Sequence, residues 1–309
     1  MSKILVVGLN PAWQRVLTLP AFKPGMVNRA RQSQSLASGK GLNAAKVLAR
    51  LGHDVSVLQI LAGENGRHCL EACGAWKVRS LHVRTQGNTR ECITILSEKG
   101  EEGPSATEVI EPFYVDDPEL TAQLLARIPS GAAYDAILIC GSVPRGVGEF
   151  IYAHILKKTR AAHVLWDSAM GLTPEILERI SWIKVNAEEF AKLSGSPSGA
   201  WPATLITEGA KAARVQHSKS ADGTYPLPPL PKSRNPVNPI GAGDTVTAVL
   251  ADGLLRKLNP EAAVRRALAF GMASCLSPLP AEYDPADAAS LELQIQLERS
   301  EPRKELESR

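Results

Sequence analysis

The chain has 309 residues, of which 44% are hydrophobic and 22% are charged, a length and composition that suit one large globular domain with a small appendage, or two domains. Lys and Arg number 35 against 32 Asp and Glu, which gives a formal net charge of +3. These charges form no long runs, so we expect no nucleic-acid partner. No apolar stretch is long enough to span a membrane, and the five cysteines are scattered as reduced thiols usually are. We therefore expect a cytoplasmic protein with no membrane partner.

Buried strands and helices alternate along most of the chain. The apolar run Lys3–Leu9 is typical of a strand covered on both faces, and the glycine-led helix Gly39–Leu51 precedes a second strand at Asp54–Leu61. A helix at Glu64–Trp76 and an extended segment at Leu81–Arg84 follow. The later predicted strands are Asp135–Gly141, His163–Asp167, Trp182–Asn186, Ala203–Thr207 and Ala212–His217, and the later helices are Glu149–Thr159, Pro174–Ile180, Val246–Leu258, Pro260–Ser274 and Pro285–Glu298. This alternation predicts an α/β fold with a doubly wound, mostly parallel sheet flanked by helices.

Two segments, Trp13–Ser35 and Arg90–Glu111, interrupt this alternation with a different pattern. Both contain short pieces in which apolar and polar residues alternate, which is typical of half-exposed antiparallel strands. The predicted strands are Val16–Leu19, Met26–Gln32, Glu91–Ser97 and Thr107–Ile110. We expect the two segments to join in a small β-sheet that forms a lid, although a plain surface hairpin is the alternative. The predicted division is a core of residues 1–10, 36–84 and 113–300, a lid of 11–35 and 85–112, and a charged tail of 301–309.

Polar residues follow the ends of several predicted parallel strands. They are Asn10, Gly141-Ser142, Asp167-Ser168, Asn186 and Thr207-Glu208-Gly209. Ligands of doubly wound sheets bind at the carboxyl ends of the strands, so we expect these residues to converge on one site. The proline-rich stretch Tyr225–Pro239 is interpreted as a surface connection.

The most informative stretch is the octet Asn238–Thr245, which leads into the helix at Val246–Leu258. Gly241 and Gly243 allow consecutive N–H groups to point the same way at the positive end of a helix, and these donors would form an anion site. A carboxylate at the rim, Asp244, would repel a phosphate but could take a proton from a hydroxyl that attacks one. The alternative is that Asp244 only caps its helix.

Two further segments could take part in nucleotide or phosphate chemistry. The chain has neither a P-loop nor a complete dinucleotide fingerprint, so such binding would need other devices. Ser38–Asn43 is a second glycine-flanked helix start, with a lysine and an amide. Asn186 and Glu189, one helical turn apart after Lys184, could orient water around Mg²⁺. Each segment also has an ordinary interpretation. Lys40 could be a solvated lysine at a helix start, and Glu189 could form a helix cap with Asn186.

The two glycine-rich stretches, Leu36–Leu51 and Asn238–Leu250, resemble the two signatures of the ribokinase-like (PfkB) carbohydrate kinases. Within that family the chain is most similar to the 1-phosphofructokinase and tagatose-6-phosphate kinase group. The supporting stretches are Leu9–Ala12, Pro24–Arg29, Thr89-Arg90, Gly141–Pro144, Trp166–Ser168 and Lys184-x-Asn186-x-x-Glu189. The similarity runs from residue 3 to about residue 290, and it implies a ribokinase-like fold with ATP and Mg²⁺ as cofactors.

The resemblance also implies roles for individual residues. Asp244 would be the catalytic base, beside a phosphoryl site at Gly241, Ala242 and Gly243. The nucleotide would lie along Lys184, Asn186, Thr207 and Gly209, with Glu189 acting on the metal through water. The sugar phosphate would contact Gln14, Gly39, Lys40, Asn43, Arg90 and Ser142. The lid would exclude water, which would otherwise accept the phosphoryl group.

The chain departs from the family pattern at several places that bear on substrate identity. The sugar-contacting Asp of the family is Gln14 here, and a glycine usual after the Thr207-x-Gly209 turn is Ala212. Only Lys192–Pro202 separates the Glu189 helix from the next strand. The leading hypothesis is phosphorylation of a ketohexose phosphate to a bisphosphate. A kinase of an unphosphorylated sugar or nucleoside and a non-catalytic sugar-phosphate-binding regulator remain open, as does a homodimer formed through the lid.

Overall fold

The computed structural model describes residues 1–99, 105–129, 131–193, 201–218, 220–231 and 237–299. The strands are β1 (Lys3–Val7), β2 (Ala12–Ala21), β3 (Gln32–Ser38), β4 (Asp54–Ala62), β5 (Arg79–Thr85), β6 (Glu91–Lys99), β7 (Ser105–Ile110), β8 (Ala133–Cys140), β9 (Arg160–Asp167), β10 (Trp182–Asn186), β11 (Ala203–Thr207), β12 (Ala212–Gln216) and β13 (Gly223–Pro226). The helices are α1 (Lys40–Arg50), α2 (Gly63–Ala75), α3 (Leu120–Ala126), α4 (Ile151–Lys158), α5 (Pro174–Leu177), α6 (Ala187–Leu193), α7 (Ala242–Leu255), α8 (Pro260–Ser274) and α9 (Pro285–Glu292).

Within the described ranges, the main sheet has nine strands in the order β13-β12-β11-β10-β9-β8-β1-β4-β5. Every neighbouring pair from β11 to β5 is parallel, and β12 and β13 add an antiparallel edge. The order runs outward from β1 in both directions, so the sheet is doubly wound, as the alternation of strands and helices predicts.

The main sheet is covered on both faces, and alternate residues of β1 enter two separate cores. Ile4 and Val6 pack with residues of α1, α7 and α8, whereas Leu5 and Val7 pack with residues of α3 and α4. Residues Ile4 to Val7 have no exposed surface. This two-sided burial explains why β1 is continuously apolar in sequence.

The close approach of α1 to the end of β1 fixes the position of the first glycine-rich segment. A Cβ atom at Gly8 would lie 2.5 Å from the Cα atom of Gly41, so only glycine fits there. Gly39, the N-cap of α1, has φ 95°. The helix therefore starts directly beside the carboxyl end of β1, where its first residues face the edge of the sheet.

Among the described residues, a second sheet, with strand order β3-β2-β6-β7, shares no paired strand with the first. It is built from the two segments that the sequence assigns to the lid, with β2 and β6 parallel in its centre. The domain boundaries given above remain a prediction. The described part of the chain contains no helix long and apolar enough to cross a membrane.

Several predicted elements differ from the structure. The strand expected at Met26–Gln32 is wrong, because the Asn28 side chain donates to the carbonyls of Lys23 and Met26 and closes a turn there. The strand begins only at Gln32. Helix α9 ends at Glu292 rather than Glu298, and α3 and β13 were not predicted.

Some other expectations fall on parts of the chain outside the described ranges. The charged tail lies there entirely. Residues 194–200 of the short connection Lys192–Pro202 and residues 232–236 of the proline-rich stretch lie there as well.

Candidate active site

A cavity of about 680 Å³ opens at the carboxyl ends of β1, β8, β10 and β11. All of the residues to which the sequence assigned a role line it: Gln14, Gly39, Lys40, Asn43, Arg90, Ser142, Lys184, Asn186, Glu189, Thr207, Gly209, Gly241, Ala242, Gly243 and Asp244. They come from both sheets and from the starts of α1, α6 and α7. The structure therefore brings these positions together, while their individual roles remain predictions. Asp167, Ser168 and Glu208, which were also expected at this edge of the sheet, are not among the residues that line the cavity.

The glycine loop before α7 presents free N–H groups to this cavity. Gly241 is the N-cap of α7, in the left-handed conformation with φ 81°. The first helical hydrogen bond runs from Thr245 N to Gly241 O, and Ala242 N donates to Pro239 O at 3.2 Å. In the described structure this leaves the N–H groups of Gly243 and Asp244 without acceptors, as is usual in the first turn of a helix. The N–H group of Ala242 is bonded to Pro239 O, and the role of Gly241, Ala242 and Gly243 in binding a phosphoryl group remains a prediction.

Asp244 does not cap its own helix. Its Oδ2 atom accepts a hydrogen bond of 2.8 Å from Asn43 Nδ2, across the interface between α1 and α7. Burial and the nearby Asp167 raise the pKa of the Asp244 carboxyl, and Lys40, Asn43 and Lys184 act against that rise. A carboxylate with a raised pKa at the entrance of an anion site is chemically suited to accept a proton from a hydroxyl.

Two lysines and a buried aspartate form the charged floor of the site. Lys40 Nζ lies 2.7 Å from Asp167 Oδ1 and 2.8 Å from Glu189 Oε1, and Lys184 Nζ lies 3.4 Å from Asp167 Oδ2. Burial alone would raise the pKa of Asp167, but Lys184 and Lys40 outweigh it and lower that pKa to about 2. The same carboxylates raise the pKa of Lys40. Lys40 is therefore paired, and a substrate phosphate would have to join or displace its carboxylate partners.

Lys184 also reaches the start of α7. A Cβ atom at position 243 would lie 2.5 Å from Lys184 Nζ, so the glycine at this position makes room for the ammonium group. The ammonium and the unpaired N–H groups of Gly243 and Asp244 thus surround one point at the positive end of α7. This arrangement favours a phosphoryl group there.

Asn186 and Glu189 form a reciprocal cap at the start of α6. Glu189 N donates to Asn186 Oδ1 at 2.7 Å, and Asn186 N donates to Glu189 Oε2 at 3.0 Å. This is the ordinary capping arrangement that the sequence left open. Within the described residues no cluster of His, Cys, Asp or Glu forms a metal site. An indirect contact to a metal through water, as predicted for Glu189, remains compatible with the cap.

On the lid side, Arg90 is anchored by backbone carbonyls. Its Nε and Nη2 atoms donate to Pro11 O at 3.3 Å and Asn10 O at 3.0 Å, and no carboxylate binds it in the described structure. Ser142 is held nearby, because Asn10 Nδ2 donates to its Oγ atom at 3.1 Å. Arg90 is therefore oriented by neutral groups and keeps its charge available for an anion.

The opposite end of the cavity is apolar. It is lined by Leu227, Pro228, Leu230, Val237, Val246, Leu268 and Met272. The described ends of Tyr225–Pro239, which the sequence interpreted as a surface connection, contain several exposed prolines and also supply part of this wall. An apolar slot beside an anion site suits a flat heterocycle joined to phosphates.

Asp167 is the main residue whose contribution the sequence left unassigned. It was only one of the polar residues expected after a strand, yet it binds both lysines and accepts a hydrogen bond of 2.6 Å from Thr247 Oγ1. Its position at the end of β9 was the available signal.

The chain is similar to known proteins in sequence and in fold. A model described as pfkB family carbohydrate kinase matches residues 1–286. A tagatose-6-phosphate kinase from Staphylococcus epidermidis is 27% identical over 298 residues, covering 88% of this chain and 92% of the relative. The tetrameric inhibited form of phosphofructokinase-2 from Escherichia coli has a TM-score of 0.75 at 21% identity, over 95% of this chain and 99% of that chain.

A possible 1-phosphofructokinase from Thermotoga maritima has a TM-score of 0.72 at 20% identity, over 96% of this chain and 99% of that chain. At such low identity, these solved structures support the ribokinase-like fold alone. The family model covers most of the chain, including both glycine-rich segments that meet in the cavity. The chain therefore belongs to the pfkB family of carbohydrate kinases and is a phosphotransferase.

Proposed function

We propose that this kinase transfers the γ-phosphoryl group of ATP to a hydroxyl of a ketohexose phosphate, giving a sugar bisphosphate and ADP. Fructose 1-phosphate, fructose 6-phosphate and tagatose 6-phosphate are the candidate substrates. The observation that carries the proposal is the position of Asp244, next to the free N–H groups of α7, in the same cavity as Arg90.

The chemistry follows from these groups. Asp244 accepts the proton of the sugar hydroxyl, and the hydroxyl oxygen forms a bond to the γ-phosphorus as the bond to the ADP oxygen breaks. The N–H groups of Gly243 and Asp244, together with Lys184, stabilise the negative charge of the transferring group. Arg90 binds the phosphate that the sugar already carries, which a guanidinium can do with two parallel hydrogen bonds.

The nucleotide is proposed to lie with its base in the apolar slot and its phosphates along Asn186, Thr207, Gly209 and Lys184. The side-chain oxygens of Asn186 and Glu189 are the kind of ligand that suits Mg²⁺, which usually keeps several waters and binds the phosphates of a substrate. When bound, Mg²⁺ neutralises charge on the phosphate oxygens. Both Glu189 oxygens already accept hydrogen bonds, from Lys40 Nζ and Asn186 N, so a contact through water fits better than direct ligation.

The two rival functions make different demands on the site. A neutral sugar or nucleoside would leave Arg90 without a phosphate to bind. A non-catalytic regulator would have no need for a base, and the raised pKa of Asp244 would then serve no purpose.

A panel assay of ADP release tests the proposal. We expect turnover with at least one of the three ketohexose phosphates, with kcat/KM well above that for fructose, tagatose, ribose or nucleosides. Turnover only with unphosphorylated acceptors would favour the first rival. Binding of a sugar phosphate with no ADP release from MgATP would favour the second.

A homodimer through the lid is a further part of the proposal. Val27 at the lid edge is 80% exposed and Val109 on the edge strand β7 is 51% exposed, so both would be covered by a second copy. The phosphofructokinase-2 from Escherichia coli, which shares this fold, is tetrameric in its inhibited form. Light scattering should give a dimer mass that falls to the monomer mass with Val109→Glu, and a monomeric wild type would contradict this assembly.

A further inference from the structure

One face of the lid sheet faces the cavity, and the strand register determines which residues it carries. Cys92 is paired with Gln14 on one side and with Ile110 on the other, and Thr94 is paired with Glu108. Directly paired residues lie on the same face of a sheet, and so do residues two positions apart on one strand. The residues Gln14, Cys92, Thr94, Glu108 and Ile110 therefore share one face. Gln14, Cys92, Glu108 and Ile110 line the cavity. Glu108 is therefore the carboxylate that the described lid strands contribute to the cavity wall.

Gln14 lies on this face and lines the cavity, with its amide nitrogen bonded inside the lid. Its side chain is only 2% exposed, and its Nε2 atom donates a hydrogen bond of 2.7 Å to Thr94 Oγ1. Thr94 itself has no exposed surface. Thr94 is in turn the direct pairing partner of Glu108 on β7, so the Gln14 bond ends beside the Glu108 position. The side chain at position 14 is therefore held within the lid, beside the strand pair that carries Glu108.

Glu108 lines the same cavity as Asp244 and Arg90. Partial burial of this otherwise exposed side chain raises the pKa of its carboxyl, and so does the charge of Asp244, while Gln14 and Arg90 lower it. Asp244, the proposed base, and Arg90, the proposed phosphate anchor, line this same cavity, so a sugar phosphate held between them would lie below Glu108. An ionised carboxylate has only acceptor atoms, and sugar hydroxyls are the donors that it would pair with.

We propose that Glu108 binds non-reacting hydroxyls of the sugar phosphate, and that Gln14 is a positioning residue that holds the Glu108 carboxylate over the cavity. This inference rests on the proposed function and deepens it. Arg90 would select for the phosphate, Asp244 would activate one hydroxyl, and Glu108 would discriminate among sugars by their remaining hydroxyls. In this chain the acidic contact that the family makes from position 14 would thus come from the neighbouring edge of the lid.

The test uses Glu108→Gln, which keeps the shape of the side chain and removes its charge. We expect KM for the preferred ketohexose phosphate to rise about 10- to 100-fold, with KM for ATP changed less than about twofold. Glu111→Gln is the matched control, because Glu111 follows the same strand but bonds Glu91 N outside the cavity. Thermal melting of both variants checks that they remain folded.

Deoxy analogues of the substrate give a second readout that a merely structural role would not move. In the wild type, the analogue that lacks the hydroxyl bound by Glu108 should lower kcat/KM by about the same factor as the substitution Glu108→Gln lowers it with the full substrate. In the Glu108→Gln variant, the same analogue should lower kcat/KM little further, because the contact is already lost. Gln14→Leu should raise KM by a smaller factor, and it should add nothing in the double variant with Glu108→Gln.

The failures of the two proposals can be told apart. If the wild type phosphorylates a ketohexose phosphate and Glu108→Gln behaves like Glu111→Gln, the role of Glu108 is wrong while the proposed function stands. Additive losses for every deoxy analogue would also overturn it. If no ketohexose phosphate is turned over, the proposed function fails, and the role of Glu108 fails with it.

Discussion

Asn43 Nδ2 donates a hydrogen bond of 2.8 Å to Asp244 Oδ2, and this bond joins the two glycine-led helix starts of the site. The other end of the Asn43 amide is also fixed, because Ser38 Oγ donates to Asn43 Oδ1 at 3.1 Å. The orientation of the amide is thus determined by its neighbours, and it presents only a donor to the carboxylate. Asn43 therefore positions Asp244 and favours its ionised form.

Replacing Asn43 with Ala should move the acidic limb of the pH profile of kcat/KM to higher pH. The pKa of Asp244 is already raised by burial and Asp167, and the Asn43 hydrogen bond is one of the groups that lower it. Without that bond the pKa rises further, so the base becomes protonated at a higher pH. Asn65→Ala is the control, since Asn65 bonds Thr89 O away from the cavity. An unchanged limb in Asn43→Ala would contradict the role of this hydrogen bond.

Asp244→Asn should lower kcat by about 10²- to 10⁴-fold, the usual contribution of a general base. Binding of the sugar phosphate, measured by calorimetry, should change only a few-fold. The free enzyme should also melt at a higher temperature, because the raised pKa means that the ionised carboxylate destabilises the fold above that pKa. A variant that keeps near-normal kcat would show that Asp244 is not the base.

Arg90→Ala should raise KM for the sugar phosphate far more than KM for ATP, because it removes a charge-assisted contact of roughly 1.5–3 kcal/mol. Arg15→Ala is a matched control from the neighbouring strand, where Arg15 is half-exposed and pairs with Glu91 at 3.1 Å. Initial-rate kinetics with each substrate varied in turn gives both constants. Equal effects on both substrates, or none, would remove Arg90 from the phosphate site and favour a neutral acceptor.

The sequence predicted most of the core and the membership of the site, for identifiable reasons. Parallel strands such as β1 are buried on both faces and therefore read as unbroken apolar runs. The glycine-led starts of α1 and α7 are equally visible, because glycine at 39 and 241 is required by positive φ. The position of these residues in one cavity follows from the strand-end rule for doubly wound sheets.

What the sequence could not predict depends on contacts between distant residues. The pairing of Lys40 with Asp167 and Glu189 joins positions more than a hundred residues apart, and no local pattern records it. The turn closed by Asn28 replaced a predicted strand because a side-chain hydrogen bond competed with sheet pairing. The bond from the Gln14 amide to Thr94 likewise joins two lid strands that are far apart in sequence.

Lys46 is a buried lysine on α1, behind the glycine loop. Its Nζ atom donates to Pro280 O at 2.7 Å and lies 3.1 Å from Glu282 Oε1. Ala281, which follows Pro280, has φ 53° and packs directly on Gly241. A Cβ atom added at Gly241 would lie 2.7 Å from Ala281 N. Lys46 therefore holds the segment against which the N-cap of α7 rests.

Lys46→Met should lower kcat by roughly 10- to 100-fold while KM for the sugar phosphate changes little, because small displacements of a catalytic group are costly. The melting temperature should change little. Burial lowers the pKa of Lys46 despite the opposing effect of Glu282, so the cost of burying the ammonium offsets much of what its contacts contribute. Arg50→Met is the control, because Arg50 also binds Glu282, at 3.3 Å, but makes no bond to Pro280. Equal kcat values for Lys46→Met and Arg50→Met would show that the hydrogen bond from Lys46 to Pro280 does not position the glycine loop.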